Sequence, residues 1–480
     1  MIRFLLNTVE HQIANLDPNT SVLDYLREHL GRTGTKEGCA SGDCGACTVV
    51  LGELDGDRLQ YSAINACITP VGNLHGKQLI TVEDLKEGED LHPVQQAMVD
   101  THGSQCGFCT PGFVMSMFAY HKTHAVPERE SILEALGGNL CRCTGYRPIV
   151  DASVQMYQAG TEDAFSAARD KTRETLAAIQ QSPDDICLSG NDRTYLAPRS
   201  LAEFAAALLE HPEARLVAGG TDLCLEMTQD LREIDTLVYT GKVPELQVLQ
   251  DTGQALEIGS AVSYSRCKSM LSGEYPDLQE LIERLGSLQI RNQGTLGGNI
   301  ANASPIGDMP PALIALGAEL VLRRGSATRV IPVEDYFVSY RVTVLQPGEF
   351  IERIIIPKAK DGELFKTYKV SKRLDDDISS VCGAFCLRVE HGEVAAVAIA
   401  FGGMAEIPRR ANHCELAMAG MPWSEHTIDA AMLALASDFS PISDFRASAD
   451  YRMQVARNLL RRLFLETQMS ANQLRVTHYA

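Results

Sequence analysis

Eight cysteines fall within the first 143 residues of this 480-residue chain, in two groups of four with different spacings. Cys39, Cys44 and Cys47 follow C-x4-C-x2-C, with Cys67 as a distant fourth. That is the spacing of a plant-type [2Fe-2S] centre. Four sulfur ligands meeting at one point oblige a loop and a later extended stretch to converge, so the pattern constrains the fold as well as the chemistry. Thr48 to Leu51 reads as a strand leaving the loop, and Cys67 returns from a second extended stretch. The glycines of Gly38-Cys39-Ala40-Ser41-Gly42-Asp43-Cys44-Gly45-Ala46-Cys47 let backbone N–H groups point at cluster sulfur with no Cβ in the way. Zinc sites favour short paired spacings, which this loop lacks. The N-terminus has no signal-peptide layout, which argues against a disulfide set.

Cys106, Cys109, Cys141 and Cys143 form a C-x2-C and a C-x-C pair. Thr110 is read as an N-cap with Pro111 at the first helical position, leading into Phe113, Val114, Met117, Phe118 and Tyr120 at helical spacing. A second helix, from about Glu128 to Leu136, stops at Gly137-Gly138, and a third starts near Ile149. Helix N-termini directed at a cluster would favour the extra negative charge of its reduced form. On spacing alone this group suits zinc as well as iron; the first group beside it favours iron-sulfur.

Both loops, together with Gly103-Ser104-Gln105-Cys106-Gly107-Phe108-Cys109-Thr110-Pro111-Gly112 and Gly138-Asn139-Leu140-Cys141-Arg142-Cys143-Thr144-Gly145-Tyr146-Arg147-Pro148, resemble the iron-sulfur portion of the molybdenum hydroxylases. The resemblance implies a β-grasp ferredoxin-like domain followed by a helical domain, each with one [2Fe-2S] cluster. By the same resemblance the helical cluster lies nearer the molybdenum cofactor, and Gln105 touches its pterin.

The chain is 45% apolar and carries a net charge of -19, which allows several cores and argues against a nucleic-acid partner. No apolar run approaches the roughly 18 residues of a membrane span. Cys187, Cys224, Cys267, Cys382, Cys386 and Cys414 read as reduced core residues. A soluble cytoplasmic protein is expected.

Residues 160–192 are polar and alanine-rich and read as a linker, with a helical candidate around Lys171 to Gln180. Ser200-Leu-Ala-Glu203 is a capping box. Arg215 to Ala218 reads as a short buried strand running into Gly219-Gly220-Thr221-Asp222, where backbone N–H groups can wrap a pyrophosphate. A second segment, Arg291 to Asp308, is crowded with glycine, hydroxyls and amides; it suits a polar ligand better than a core. Neither contains G-x-G-x-x-G, so a Rossmann fold has no support. Both resemble the FAD-binding loops of the same family. That likeness implies FAD contacts from Leu216, Val217, Ala218, Gly219, Gly220, Thr221, Asp222 and Leu223, and from Thr295, Gly298, Asn299 and Asp308.

Further on, Ala384 to Arg388 and Glu393 to Phe401 alternate around His391-Gly392 as a hairpin, and Ala449 to Glu466 has helical spacing. Tyr368 to Ser379 carries mixed charge and also fits a solvated turn. The family likeness places Lys369 and Asp376 beside the flavin, the cation favouring a reduced anionic flavin and the carboxylate opposing it. Ser371-Lys372-Arg373 followed by acidic residues and Asp377-Ile378-Ser379 resembles bacterial xanthine dehydrogenases within the family.

The expected fold class is therefore multidomain α+β. Its parts are a ferredoxin-like domain over residues 1–80, a helical [2Fe-2S] domain over 81–159, the linker over 160–192, a two-part FAD-binding domain over 193–365 and a C-terminal flavoprotein domain over 366–480. The resemblance implies an electron-transfer subunit whose molybdenum centre sits on a large partner subunit, in a heterotetramer of two small and two large chains. Electrons from purine oxidation would pass by the Cys106 group and then the Cys39 group to FAD and NAD+. No catalytic acid or base is assigned on this chain. The equivalent subunit of an aldehyde, nicotinate or carbon monoxide oxidising enzyme, or a standalone carrier, is the alternative.

Overall fold

The structure is a computed structural model in which residues 1–469 are described. The chain divides into two compact units. One holds Met1–Pro244 with Ser263–Ser265 and Gly286–Gly294; the other holds Glu245–Val262, Arg266–Leu285 and the chain from Thr295 onward.

The first unit opens with a five-stranded mixed sheet in the order Val9–Ile13, Ile2–Leu6, Gln78–Ile80, Thr48–Asp55, Arg58–Asn65. Ile2–Leu6 runs parallel to Gln78–Ile80, and the other pairings are antiparallel. Alternation along Thr48–Asp55 sends Val49 and Leu51 into a core with Phe4, Ile64 and Leu79. Val50 points the other way, into a core with Val94, Phe113 and Phe118. One strand thus serves two cores because successive side chains face opposite sides of a sheet.

That second core is helical. Its central helix, Thr110–Thr123, is buried from Gly112 to His121, as expected of a helix that is apolar on all sides. Cys109 rather than Thr110 is its N-cap, which places Pro111 within the first turn. Helices Pro93–Asp100, Arg129–Leu136 and Arg147–Gln155 surround it.

The segment read as a linker is ordered. Helix Arg169–Gln181 extends past the expected Lys171 to Gln180 and buries Thr172, Leu176 and Ile179 on one face. A four-stranded sheet follows in the order Cys187–Gly190, Arg193–Leu196, Thr236–Tyr239, Arg215–Val217. Arg215–Val217 lies at its edge with Arg215 and Leu216 exposed and only Val217 buried. This corrects the buried strand expected there: three residues of apolar character do not distinguish an edge from a centre.

The second unit has a five-stranded antiparallel sheet ordered Leu249–Asp251, Ala255–Gly259, Glu349–Pro357, Glu319–Arg324, Ala327–Pro332. It also has an antiparallel sheet of Glu363–Val370, Val381–Glu390, Glu393–Gly402 and Arg409–Arg410. The expected hairpin turns at His391 (φ 50°) and Gly392 (φ 83°), the two left-handed residues that suit strand twist. Helices Glu425–Asp438 and Ala449–Gln468 share a core with that sheet through Leu435, Leu460, Phe385 and Phe401.

Among the described residues no cysteine forms a disulfide. Cys187 and Cys386 are partly exposed, whereas Cys224, Cys267, Cys382 and Cys414 are buried, so two of the six expected core cysteines sit nearer the surface. Among the described residues no helix is long and apolar enough to cross a membrane.

A buried charge cluster ties the segment after the helical region back onto it. Asp163 accepts from Lys122 Nζ at 2.8 Å and pairs with His92 Nε2 at 3.0 Å; it also caps Ala164–Ala167 by accepting from Ser166 N–H. His92, His121 and Asp163 are close enough to suggest a metal site. However, His92 Nδ1 already accepts from Val94 N–H at 3.2 Å. A neutral imidazole has one lone pair, so Nε2 carries the proton and donates to Asp163. The cluster is an ion-pair anchor. Burial works against ionised Asp163, but the His92 and Lys122 contacts outweigh it and hold the carboxyl well below its usual range.

A depressed carboxyl contributes stability above its unfolded pKa, and that contribution is lost as pH falls through the folded value. Asp163→Asn should leave Lys122 buried without a counter-charge and cost about 3 kcal/mol at neutral pH. Denaturant melts should show that loss, together with a shallower acid dependence than the parent's.

Candidate cofactor sites

The first quartet meets at one point. Cys47 Sγ lies 3.3 Å from Cys67 Sγ. The Cys39 thiol is held well below its ordinary range, first by the Cys44 thiol and then by that of Cys67 acting as donors to it. Backbone N–H groups of Ser41 and Cys44 each approach Cys39 Sγ at 3.4 Å. A Cβ on Gly38 would stand 2.7 Å from Cys44 Sγ, so glycine there is a requirement of the sulfur cradle. Asn65 secures the loop by donating to the Gly42 carbonyl at 2.8 Å. Four thiols with N–H donors aimed at sulfur fit a [2Fe-2S] cluster, whose sulfurs carry excess negative charge.

The second quartet also pairs up: Cys109 neighbours Cys141, and Cys143 neighbours Cys106. Cys106 and Cys143 are exposed. Burial pushes the Cys109 thiol up to about 12, with Cys141 adding to it. Burial also acts on Cys141, but the Thr144 hydroxyl, 3.2 Å from its Sγ, and backbone N–H groups outweigh it and lower the thiol's pKa. Tyr146, at φ 69°, places its hydroxyl to accept from Cys141 N–H at 3.1 Å. Cys109 precedes the helix Thr110–Thr123 and Tyr146 precedes Arg147–Gln155, so two helix starts follow this loop directly. The donor set again fits a [2Fe-2S] cluster.

The two loops touch through backbone. Leu140 N–H donates to the Cys44 carbonyl at 3.0 Å, and Asn139 Nδ2 donates to the Gly45 carbonyl at 3.0 Å. A Cβ on Gly45 (φ 68°) would lie 2.2 Å from the Gly138 oxygen; one on Gly112 would lie 2.2 Å from the Gly45 oxygen. Asn139 was visible in the sequence only as part of a motif, and nothing there signalled its reach across to the first loop.

The residues expected at FAD fall in both units. In the first, Gly219 packs so closely on the Gln293 carbonyl that a Cβ would lie 2.1 Å from it, and Gly220 has φ 77°. Thr221, Asp222 and Leu223 are half-buried, and Leu216 is exposed. Ala218 accepts from Asn73 Nδ2 at 3.4 Å.

In the second unit, Thr295 caps helix Leu296–Ala301 by accepting from Gly298 N–H at 2.9 Å. Asn299 Oδ1 is buried with no hydrogen-bond partner, an acceptor that a polar ligand such as FAD would satisfy. Asp308 accepts from Lys369 Nζ at 2.7 Å and from Ser379 Oγ at 2.5 Å. Lys369, which the family likeness places beside the flavin, is buried and paired with Asp308. Asp376 sits on a half-exposed loop at φ 46°.

The sequence matches four families in succession. A 2Fe-2S iron-sulfur cluster binding domain covers residues 4–72 and a [2Fe-2S] binding domain covers 81–154. The FAD binding domain in molybdopterin dehydrogenase covers 188–359, and the CO dehydrogenase flavoprotein C-terminal domain covers 366–467. Xanthine dehydrogenase/oxidase of Rattus norvegicus is 31% identical over 92% of this chain and 37% of its own length. Aldehyde oxidase 2 of Cavia porcellus is 29% identical over 96% of this chain and 39% of its own. The chain therefore spans less than two-fifths of the length of these curated relatives. Among solved structures, carbon monoxide dehydrogenase from Hydrogenophaga pseudoflava, in a form lacking the Mo-pyranopterin moiety of the molybdenum cofactor, matches with a TM-score of 0.54 and 28% identity. That match covers 56% of this chain and 94% of the other.

Gly45→Ala should force the two cysteine loops apart, since both the left-handed backbone and the lack of space oppose a Cβ. The expected loss is on the order of 2 kcal/mol, with reduced iron incorporation. Thermal unfolding and iron analysis of the variant measure both.

Proposed function

Because the chain carries the iron-sulfur and FAD-binding domains of the molybdenum hydroxylases and is homologous to xanthine dehydrogenases and aldehyde oxidases, we propose that it is the electron-transfer subunit of a xanthine dehydrogenase. In this reading a large molybdenum-binding partner oxidises hypoxanthine or xanthine to urate, and this chain delivers the electrons to NAD+ in the cytoplasm. Two small and two large chains form the enzyme. The single observation that carries the electron-transfer role is the backbone contact between the cysteine loops, Leu140 N–H on the Cys44 carbonyl at 3.0 Å.

When bound, the two clusters supply one-electron chemistry and FAD supplies the exchange between single electrons and hydride. The chain's own residues do the holding. Cys39, Cys44, Cys47 and Cys67 bind one cluster, with Ser41 and Cys44 N–H groups stabilising its sulfur charge. Cys106, Cys109, Cys141 and Cys143 bind the other. Leu216 to Leu223, Thr295, Gly298, Asn299 and Asp308 would hold FAD, Asn299 offering its unpartnered Oδ1 to a flavin donor. Lys369 fixes Asp308 in place, and Asp376 would border the flavin. The domain division at residues 80, 159, 192 and 365 belongs to the same proposal. The aldehyde oxidase and carbon monoxide dehydrogenase likenesses keep an equivalent subunit of those enzymes as the second reading.

The isolated chain is expected to oxidise NADH with an artificial acceptor yet leave xanthine untouched, and addition of the large subunit should restore xanthine-dependent NAD+ reduction. Xanthine oxidation by this chain alone would refute the division of labour; restoration with an aldehyde but not with xanthine would favour the second reading.

Cys44→Ser tests the independence of the two quartets. In the assembled enzyme, electron paramagnetic resonance should lose one rhombic signal and keep one that substrate still reduces, while NAD+ reduction falls to background. Disappearance of both signals from folded protein would mean the two sites are one.

A further inference from the structure

Gln289 belongs by sequence to the segment matched as FAD-binding, yet it folds into the first unit with the iron-sulfur loops. It lies on helix Leu288–Gln293, whose N-cap Ser287 accepts from Ile290 N–H. Its side chain is fully buried, and Nε2 donates to Asn139 Oδ1 at 3.1 Å and to Ser116 Oγ at 3.1 Å. Its own Oε1 has no partner. A buried amide satisfied at one end only is costly, and an apolar residue of equal volume would avoid that cost. The donor end therefore has work that an apolar side chain could not do.

That work is visible in Asn139. Its amide faces the Gly45 carbonyl and can clamp it only with Nδ2 forward; turned over, Oδ1 would oppose another acceptor. Ser116 Oγ donates to Asn139 Oδ1 at 2.6 Å and Gln289 Nε2 donates to the same oxygen, so both select the clamping orientation. The next residue, Leu140, makes the backbone bond to Cys44, and Cys141 follows it. The Ser116 and Gln289 donors come from different stretches of chain and converge on the same amide oxygen.

We propose that Gln289 is a positioning residue for electron transfer between the two cysteine quartets: by fixing the Asn139 amide it sets the separation and contact of the Cys44 and Cys141 loops. The inference rests on the reading that each quartet binds a [2Fe-2S] cluster.

The test uses the full chain with iron counted first. Gln289→Met keeps volume and removes the donor; four irons per chain are expected, with both cluster signals present. The magnetic interaction between the two reduced clusters should change, and electron exchange between them should slow about tenfold, since small displacements of reacting groups carry large rate effects. An unchanged interaction and rate in a four-iron variant would overturn the proposal. Should Gln289→Met fail to load iron, Ser116→Ala removes the other donor to the same oxygen: an altered interaction supports the proposal and an unaltered one overturns it. Two irons, or zinc, in the parent protein would instead sink the cluster reading itself and the inference with it.

Discussion

The hydrogen bond from Leu140 N–H to the Cys44 carbonyl is the contact on which the first unit turns. It joins the Cys44 loop of one quartet to the Cys141 loop of the other, and the lack of a Cβ on Gly45 and Gly112 lets backbone approach backbone there. Everything around it serves that approach. The strand Thr48–Asp55 divides the two cores and leaves the first loop at a fixed angle. The central helix Thr110–Thr123 starts at Cys109 and contributes Gly112 to the contact and Ser116 to the network behind it. Close-packed cores tolerate little displacement, so the buried Gly45, Gly112 and Asn139 hold the partly exposed Leu140–Cys44 contact beside them.

The second unit is built around a different constraint. Asp308, Lys369 and Ser379 form a buried polar cluster at the start of helix Met309–Ala315. Such a pair gives little net stability, because desolvation offsets attraction, but losing one partner strands a charge. Its effect is to lock the segment that follows the glycine-rich run Thr295 to Gly307. Asn299 Oδ1, within that run, is buried with no hydrogen-bond partner.

Much of this organisation was legible in the residues. The cysteine spacings, the hairpin at His391-Gly392 and the closing helix all carry strong local signals, because ligand spacing, left-handed turns and helical periodicity are short-range properties. Other features were not legible for an equally physical reason. Arg215–Val217 is too short for burial to show in its pattern. The segment 160–192 looks like linker by composition, since helix Arg169–Gln181 buries only Thr172, Leu176 and Ile179. Gln289 gives no local sign of its place beside Asn139, 150 residues earlier. The pairing of Lys369 with Asp308, 61 residues earlier, likewise has no local sign. Long-range pairing of polar side chains is what periodicity and motif cannot express.

One folded unit carries two separate cysteine quartets whose loops touch, each suited to a [2Fe-2S] cluster, and the chain also carries an FAD-binding domain. Counting iron, acid-labile sulfide and FAD on anaerobically prepared protein tests it most directly. Four irons, four sulfides and one flavin per chain are expected. Two irons per chain, or stoichiometric zinc in place of iron, would contradict it.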